Sequence, residues 1–173
     1  MKPKITPTSV EKVMRENDFI VSKTDTKGII TYCNQIFMEY ARYSYNELLG
    51  QNHNIIRHPD MPRIIFKLLW DTIQSGKEIN AYVKNMASDG SYYWVDANIT
   101  PVKNENGKVV GYYSVRRKPN KSVLDSIIVP LYKKLLAEEK KNSIGNQMAA
   151  SGKLLTNLLN EKGIDYEEFI LTL

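Results

Sequence analysis

The chain has 173 residues, of which 42% are hydrophobic and 25% are charged, with a formal net charge of +5 at pH 7. This composition is typical of a globular protein with one hydrophobic core and some appended segments. The sequence has no apolar run of the roughly 18 residues that a transmembrane helix needs, and its N-terminus lacks the apolar core of a signal peptide. We therefore expect a soluble, cytoplasmic protein. Its single cysteine, Cys33, excludes an internal disulfide.

Basic residues are interleaved with acidic ones along most of the chain, apart from a short cluster that includes Arg116, Arg117 and Lys118. Such interleaving is typical of a solvated surface and not of a nucleic-acid or membrane patch. No helix-turn-helix, RNA-binding or zinc motif accompanies the charge. We therefore expect no nucleic-acid partner.

The first predicted elements are a short helix and a β-hairpin. Ser9 can cap a helix that runs to Asn17. Two β-prone runs follow, from Asp18 to Lys23 and from Ile29 to Cys33, and the polar loop between them ends in a glycine, Gly28. That arrangement is typical of two adjacent antiparallel strands.

Helical patterns follow the hairpin. A helical turn is predicted after Asn34, and Ser44 begins a second short helix with the spacing of a capping box. A longer helix is predicted from Met61, with Pro62 in its first turn, where the missing N–H costs little. The dipeptide that ends in Gly76 stops this helix.

The chain then returns to a period of two. Three strands are predicted, from Ile79 to Met86, from Ser91 to Val102 and from Val109 to Arg117, with polar turns between them. The order β-β-α-α-α-β-β-β predicts an α+β domain over residues 18–119, with the helices grouped between the second and third strands of an antiparallel sheet. Residues 1–17 would form an N-terminal cap helix.

Residues 120–173 show helical patterns only, and we expect this segment to serve signalling or oligomerisation. Pro130 interrupts the first helix and should kink it. Each helix has an apolar stripe that must be buried, either against its own domain or against a partner or second copy. The stripes contain Val123, Ile127, Leu131 and Leu135, and then Met148, Leu155, Leu158 and Leu159.

Four segments, SKTDTKGIITYCNQIF, GQNHNIIRHPDMP, VKNMASDGSYYWVDANITPV and GYYSVRRKP, resemble the PAS domain of bacterial aerotaxis receptors and related energy-taxis proteins. The similarity extends from about Asn17 to Pro119. It implies a five-stranded antiparallel sheet with helices over one face, enclosing a cofactor pocket. Aerotaxis members of the family bind FAD non-covalently, so the resemblance implies FAD here.

The resemblance assigns the edge of the flavin ring to Asn85, at the end of the third predicted strand. Period-two alternation places Asn85 on one face with Val83 and Ala81, whose small side chains leave room for a flat ring. A cap for the turn that follows is the structural alternative for Asn85.

The loop Arg57-His58-Pro59-Asp60 matches positions that the aerotaxis family associates with FAD binding. Arg57 would be the natural partner of a phosphate, with His58 and Asp60 near the ribose and adenine. In the structural alternative, Asp60 caps the helix from Met61 and pairs with Arg57. Both interpretations can hold together.

Three further aromatic or amide residues are candidates. Asn34 matches a family position that lines the pocket, or it is the N-cap of a helix beginning at Gln35. Phe66 and Trp70 lie one turn apart on a helix that walls the pocket in this family, or they belong to the core. Trp94 alternates to the opposite face, so we expect it outside the pocket, under the N-terminal helix or a partner.

Differences between this sequence and other cofactor-binding or enzyme families exclude several kinds of chemistry. The light-oxygen-voltage class resembles this domain but needs a cysteine beside the flavin, which is absent here, and Arg116 replaces its last-strand glutamine. A haem would need a histidine, and neither His53 nor His58 lies on the long helix. No nucleotide-binding, serine-hydrolase or zinc-protease motif occurs, so we expect a binding module and not an enzyme.

The sequence therefore predicts a cytoplasmic, FAD-binding PAS redox sensor for energy taxis. It would report to a separate, membrane-bound chemotaxis transducer with its own signalling domain, and through that partner it could be recruited to the inner face of the membrane. A homodimer is also expected. A haem-binding gas sensor and a cofactor-free PAS dimerisation module are the alternatives.

Overall fold

The computed structural model describes residues 5–173 and contains a five-stranded antiparallel sheet in the order β2-β1-β5-β4-β3. The hairpin β1–β2 and the meander β3–β4–β5 occur where the sequence predicts them, and the α+β class is confirmed. The strands are β1 (Ile20–Thr24), β2 (Ile30–Cys33), β3 (Ile79–Met86), β4 (Tyr92–Lys103) and β5 (Val109–Arg117).

Three helices and a 3₁₀ turn connect β2 to β3. They are α1 (Gln35–Ala41), α2 (Tyr45–Leu48), the 3₁₀ turn (His53–Ile56) and α3 (Arg63–Gln74). Ser44 and Glu47 form the predicted capping box of α2. Helix α3 begins at Arg63 and not at Met61, because Pro62 has an extended ψ of 136° and occupies the N-cap position.

The core lies between the inner face of the sheet and helices α1 to α3. Along β4, Tyr93, Val95 and Ala97 are buried, whereas Trp94 and Asp96 are only partly covered, as the period of a strand requires. The largest fully buried side chains from the helical layer are Phe37, Leu48, Ile56, Met61 and Ile65.

The predicted N-terminal helix from Ser9 to Asn17 is wrong, because this segment is extended. The N–H of Lys12 donates to Tyr92 O at 2.7 Å, and the N–H of Tyr92 donates to Val10 O at 2.9 Å. The register of β4 with β5 begins only at Asp96, so the start of β4 has an open edge on that side. The N-terminal segment supplies the missing hydrogen bonds, which outweighs a weak local preference for helix.

The C-terminal segment contains α4 (Lys121–Val123), a π-helical segment (Leu124–Ile128), α5 (Val129–Lys141), α6 (Gln147–Lys162) and α7 (Tyr166–Leu171). Pro130 lies just after the π-helical segment. A proline has no N–H to donate to the preceding turn, so the wider turn accommodates its ring without ending the helix.

The apolar side of the C-terminal helices packs against the PAS sheet and α3. Tyr132 contacts Trp94 with ring centroids 6.1 Å apart, and its hydroxyl donates to Tyr82 O at 2.7 Å. Trp94 therefore lies outside the inner core, as expected, but under α5 and not under an N-terminal helix. Ile127 and Met148 remain 36% and 39% exposed. None of the described helices combines the length and apolarity needed to cross a membrane.

Candidate functional site

A cavity of about 940 Å³ lies between the inner face of the sheet, the 3₁₀ turn, α3 and the α5–α6 pair. This volume is at the upper end of the roughly 300–1,000 Å³ that is usual for small-molecule and cofactor sites. Val83, Ala97 and Ile99 form its floor on the sheet. The cavity has the size and apolar lining that a large aromatic ligand requires.

Asn85 places an amide on this apolar floor. Its side chain is only 4% exposed and lines the cavity beside Val83. Among residues 5–173, its side-chain amide makes no hydrogen bond. A buried amide without a protein partner costs free energy unless a ligand supplies the missing donor or acceptor. The predicted position of Asn85 in the pocket agrees with this geometry.

Arg57 also lines the cavity, and an isolated antiparallel bridge between the backbones of Arg57 and Asn85 joins the loop to β3. The guanidinium carbon lies 4.1 Å from the ring centroid of Phe66, which lines the cavity too. Burial lowers the pKa of Arg57, the charge of Arg63 adds to this effect, and Glu139 opposes it. Three of the predicted site residues therefore lie around the same space.

Trp70 is the fourth predicted residue in the cavity wall. Its ring stands edge-on to Tyr112, with centroids 5.7 Å apart and an interplanar angle of 84°. The other side of Trp70 packs on Gly28, where an added Cβ would come within 2.9 Å of the indole. Gly28 has a φ of +78°, so the hairpin turn and the indole both require glycine here. The sequence indicated only the turn.

Asn34 is not among the residues that line the cavity, and it occupies the position of its structural alternative, the N-cap of α1. Its Oδ1 accepts from Phe37 N and from Val21 N, both at 3.0 Å. Its Nδ2 donates to Phe19 O at 2.7 Å. The amide is therefore occupied in capping α1 and tying it to β1.

His58 and Asp60 are likewise not among the residues that line the cavity. The His58 Nδ1 accepts from Asp60 N at 3.1 Å, and its ring is edge-on to Tyr92 at 5.9 Å. The Asp60 carboxylate accepts from Lys84 Nζ at 2.9 Å. Partial burial would raise the pKa of Asp60, but the hydrogen bond and charge of Lys84 hold it below the ordinary value.

Glu139 on α5, and not Asp60, satisfies the N-terminus of α3. Its carboxylate oxygens accept from Arg63 N and Ile64 N, each at 3.1 Å, and from Ser151 Oγ on α6 at 3.0 Å. Glu139 is 4% exposed and lines the cavity. A capping residue this far along the chain gives no local signal, which explains why the sequence did not reveal it.

The charged side chains that line the cavity in the described part of the chain are mostly cations. One carboxylate, Glu139, stands against five basic residues. The basic residues are Arg57, Arg63, Lys67, Arg116 and Lys140. The cavity therefore favours a ligand that carries negative charge.

A polar corner lies at the β1 side of the cavity, where Ser22, His53 and Arg116 all contribute to the lining. The His53 ring stacks on Phe37 at 5.7 Å, and its Nε2 lies 3.2 Å from Ser22 Oγ. Burial, and secondarily the charge of Arg116, lowers the pKa of His53 to about 3. His53 is therefore neutral at pH 7, and its Nε2 is engaged within the protein.

A family model described as "PAS fold" matches residues 30–116, so the chain belongs to the PAS family. It is 38% identical over 124 residues to the aerotaxis receptor of Escherichia coli strain K12, which covers 72% of this chain and 24% of the receptor. It is 35% identical over 97 residues to the nitrogen fixation regulatory protein of Klebsiella pneumoniae, which covers 56% of this chain and 20% of that protein. The chain thus spans a quarter or less of either relative. The resemblance to the aerotaxis family is confirmed.

Solved structures show the same fold. The LOV domain of the blue-light photoreceptor Aureochrome1 in its light state matches with a TM-score of 0.58 at 19% identity, covering 66% of this chain and 91% of that chain. A light-oxygen-voltage domain studied with a flavin analogue matches with a TM-score of 0.57 at 21% identity, covering 67% and 87% of the two chains. The protein therefore contains a PAS domain related to that of the aerotaxis receptor.

Proposed function

We propose that the cavity binds FAD and that the protein reports the redox state of this flavin. The observation that carries the proposal is the amide of Asn85, which is buried on an apolar floor and has no hydrogen-bond partner among the described residues. The edge of an isoalloxazine ring carries carbonyl and ring-nitrogen groups that can pair with an amide. When bound, FAD would supply reversible electron transfer.

The relatives support a flavin over other ligands. One structural neighbour is a light-oxygen-voltage domain determined with a flavin analogue, and it shares the fold of this chain. This chain has no cysteine among the residues that line the cavity, since Cys33 lies elsewhere in the core. A redox response, and not a light-driven cysteine adduct, is therefore the chemistry that we assign.

The cationic lining favours a dinucleotide over riboflavin. Arg57, Arg63 and Lys140 lie where the loop, α3 and α5 meet at the cavity. A pyrophosphate there would gain charge-assisted hydrogen bonds. FMN would offer one phosphate to the same set of cations, so FAD uses the site more fully.

The route from the cavity to the C-terminal helices passes through β3, the strand that carries Asn85. The Tyr82 carbonyl of this strand accepts the hydroxyl of Tyr132 on α5. A change in the hydrogen bonds of Asn85 would alter the position of β3. Because α5 packs on β3 through this hydrogen bond, the position of α5 would change as well. We propose that α5 and α6 pass this change to a membrane-bound chemotaxis transducer, with the sensor acting as a cytoplasmic homodimer.

Purified protein and its extracted cofactor test the proposal. We expect a yellow protein with a flavin absorption spectrum, and acid extraction should release FAD. Asn85→Ala should raise the dissociation constant about tenfold, the loss of about one net hydrogen bond of about 1.4 kcal/mol.

Asn80→Ala is the matched control, because Asn80 lies on the same strand and its amide pairs with Asn98 at 3.1 Å outside the cavity. This variant should bind FAD as the unaltered protein does. Recovery of haem, or of FMN alone, would contradict the proposal.

A further inference from the structure

The α5–α6 pair forms one wall of the cavity, although both helices follow the residues that match the PAS family model. The end of α5 and the start of α6 both contribute to the lining. The lining residues of this pair are Leu136, Glu139, Lys140, Gln147 and Met148. A ligand in the cavity therefore contacts the C-terminal segment as well as the PAS domain.

Glu139 joins the α5–α6 pair to the PAS domain. Its carboxylate oxygens accept from Arg63 N and Ile64 N at the start of α3, each at 3.1 Å. One of these oxygens, Oε1, also accepts from Ser151 Oγ on α6 at 3.0 Å. Helix α6 packs closely on α3, because a Cβ added to Gly152 would lie 3.1 Å from Ile64 Cδ1. We call the three hydrogen bonds of this carboxylate the Glu139 latch.

The same carboxylate lies among the cations of the cavity. Arg57, Arg63 and Lys140 line the cavity together with Glu139. Burial, and then the charge of Arg63, lowers the pKa of Arg57, and the charge of Glu139 opposes this effect. Basic side chains and the N–H groups at the start of a helix are the groups that bind phosphates in proteins. Glu139 therefore lies where these groups also favour the anionic part of a ligand.

We propose that the anionic part of the bound ligand weakens the Glu139 latch, so that occupancy of the cavity loosens the α5–α6 pair from α3. This inference rests on the proposed function, because FAD, with its pyrophosphate, is the ligand concerned. The buried amide of Asn85, which has no partner among the described residues, independently marks this cavity as a ligand site. A pyrophosphate near Arg57 and Lys140 competes with the Glu139 carboxylate for the same positive charges and repels it. The C-terminal helices thereby respond to the binding of the ligand itself.

Hydrogen exchange of residues 147–162, measured with FAD and with riboflavin, tests the latch. Riboflavin has the same ring system but no phosphate, so it should occupy the apolar floor and leave the latch closed. With FAD, α6 should exchange at least about fivefold faster than with riboflavin, which is the lower end of ordinary coupling between two sites. Equal exchange in the two complexes, or slower exchange with FAD, would overturn the inference.

Two variants separate the charge of Glu139 from its contact with α6. Glu139→Gln removes the charge, so it should bind FAD about tenfold more tightly and riboflavin as before, since a like charge beside the pyrophosphate is gone. Ser151→Ala keeps the carboxylate and should speed the exchange of α6 without tightening FAD binding, and it tests the latch even if Glu139→Gln fails to fold. Weaker FAD binding by Glu139→Gln would show that Glu139 supports the ligand, which contradicts the latch.

Glu138→Gln is the matched control for Glu139→Gln. Glu138 is the preceding residue on α5, pairs with Lys141 at 3.3 Å and is not among the residues that line the cavity. This variant should change neither the affinity for FAD nor the exchange of α6.

The two proposals fail in different ways. If the unaltered protein binds FAD but α6 exchanges as it does with riboflavin, only the latch is overturned. If the unaltered protein binds no FAD, the proposed function is wrong, and inorganic pyrophosphate then tests the latch by itself. Pyrophosphate should speed the exchange of α6 in the unaltered protein more than in Glu139→Gln, and equal effects on the two proteins would overturn the latch too.

Discussion

The environment of His53 changes the protonation behaviour of its imidazole ring. Its ring is stacked on Phe37, its Nε2 is engaged with Ser22, and the charge of Arg116 lies nearby. Burial of the ring, and secondarily the charge of Arg116, lowers the pKa of His53 and so favours the neutral imidazole. Protonation of this ring would place a second positive charge beside an unpaired guanidinium, so the folded protein resists it.

We predict that His53 makes the folded protein sensitive to mild acid. Its pKa is about 3 in the folded protein and near the ordinary 6.5 after unfolding, so the unfolded chain binds the proton first. The stabilisation is fully present above pH 6.5 and falls by about 1.4 kcal/mol for each pH unit below it, until the pH reaches the folded pKa. Urea unfolding of the ligand-free protein between pH 7.5 and 4.5 would measure this slope.

His53→Gln keeps a polar side chain without a titrating ring. Below pH 6.5, its free energy of unfolding should therefore fall less steeply with decreasing pH, by about 1.4 kcal/mol per pH unit. Parallel stability curves for the two proteins would contradict the prediction.

The fate of the individual predicted residues shows which physical signals a sequence carries. Strand alternation placed Asn85 on one face with Val83, which the cavity lining shares, whereas its role at a flavin edge came from the family resemblance and stays a prediction. For Asn34, the structure shows the N-cap that the local signal indicated, with the amide away from the cavity lining. His58 and Asp60 are not among the cavity-lining residues; the His58 ring packs on Tyr92, and the Asp60 carboxylate pairs with Lys84 on β3. The side-chain orientations of a loop cannot be predicted from its local sequence when its contacts come from distant strands.

At the scale of secondary structure elements, the boundaries that depend on local chemistry were predictable. The capping box at Ser44 and the αL glycine of the hairpin each determine their own turn. The N-terminal segment was not predictable, because its extended form depends on the open edge that β5 leaves beside Tyr92. Tertiary pairing there overrides a weak helical preference.

The junction of α3, α5 and α6 rests on one carboxylate. Glu139 accepts two backbone N–H groups of α3 and the hydroxyl of Ser151 on α6. The negative charge also lies at the positive end of the α3 dipole. Helix α3 and the consecutive helices α5 and α6, which are far from it in the sequence, thereby meet at a single side chain beside the cavity.

We predict that Glu139→Ala destabilises the protein by about 2–3 kcal/mol, because it leaves buried donors without an acceptor at a charged site. Glu139→Gln should cost less, since one acceptor oxygen remains. Equilibrium denaturation with urea would measure both values.

Glu138→Ala is the control for the Glu139 variants. Its carboxylate makes a surface ion pair with Lys141 at 3.3 Å, and such pairs contribute about 0–1 kcal/mol. Equal losses for Glu138→Ala and Glu139→Ala would show that the junction does not depend on the buried carboxylate.

At the scale of the whole molecule, the C-terminal helices contact both faces of the PAS domain. Tyr132 of α5 lies on the outer face of the sheet beside Trp94. Glu139, further along the same helix, lines the cavity on the inner side. The apolar stripes that the sequence left without a partner are thus largely buried within the chain itself. Helix α5 is thus held at both faces, while Ile127 in the π-helical segment before it stays 36% exposed and Met148 on α6 lines the cavity.

We predict that reduction of bound FAD with dithionite changes hydrogen exchange in residues 122–136. The amide of Asn85 must re-pair when the charge and protonation of the ring edge change, and β3 carries that adjustment to the Tyr82 carbonyl that holds Tyr132. A coupling free energy of about 1–3 kcal/mol corresponds to a roughly 5- to 150-fold change in protection.

Asn85→Ala and Tyr132→Phe should each reduce this change in hydrogen exchange, because they remove the two ends of the same link. Tyr45→Phe on α2, where the side chain is exposed, should leave it intact. Identical exchange of residues 122–136 in the oxidised and reduced proteins would separate cofactor binding from signalling and place the output surface elsewhere on the domain.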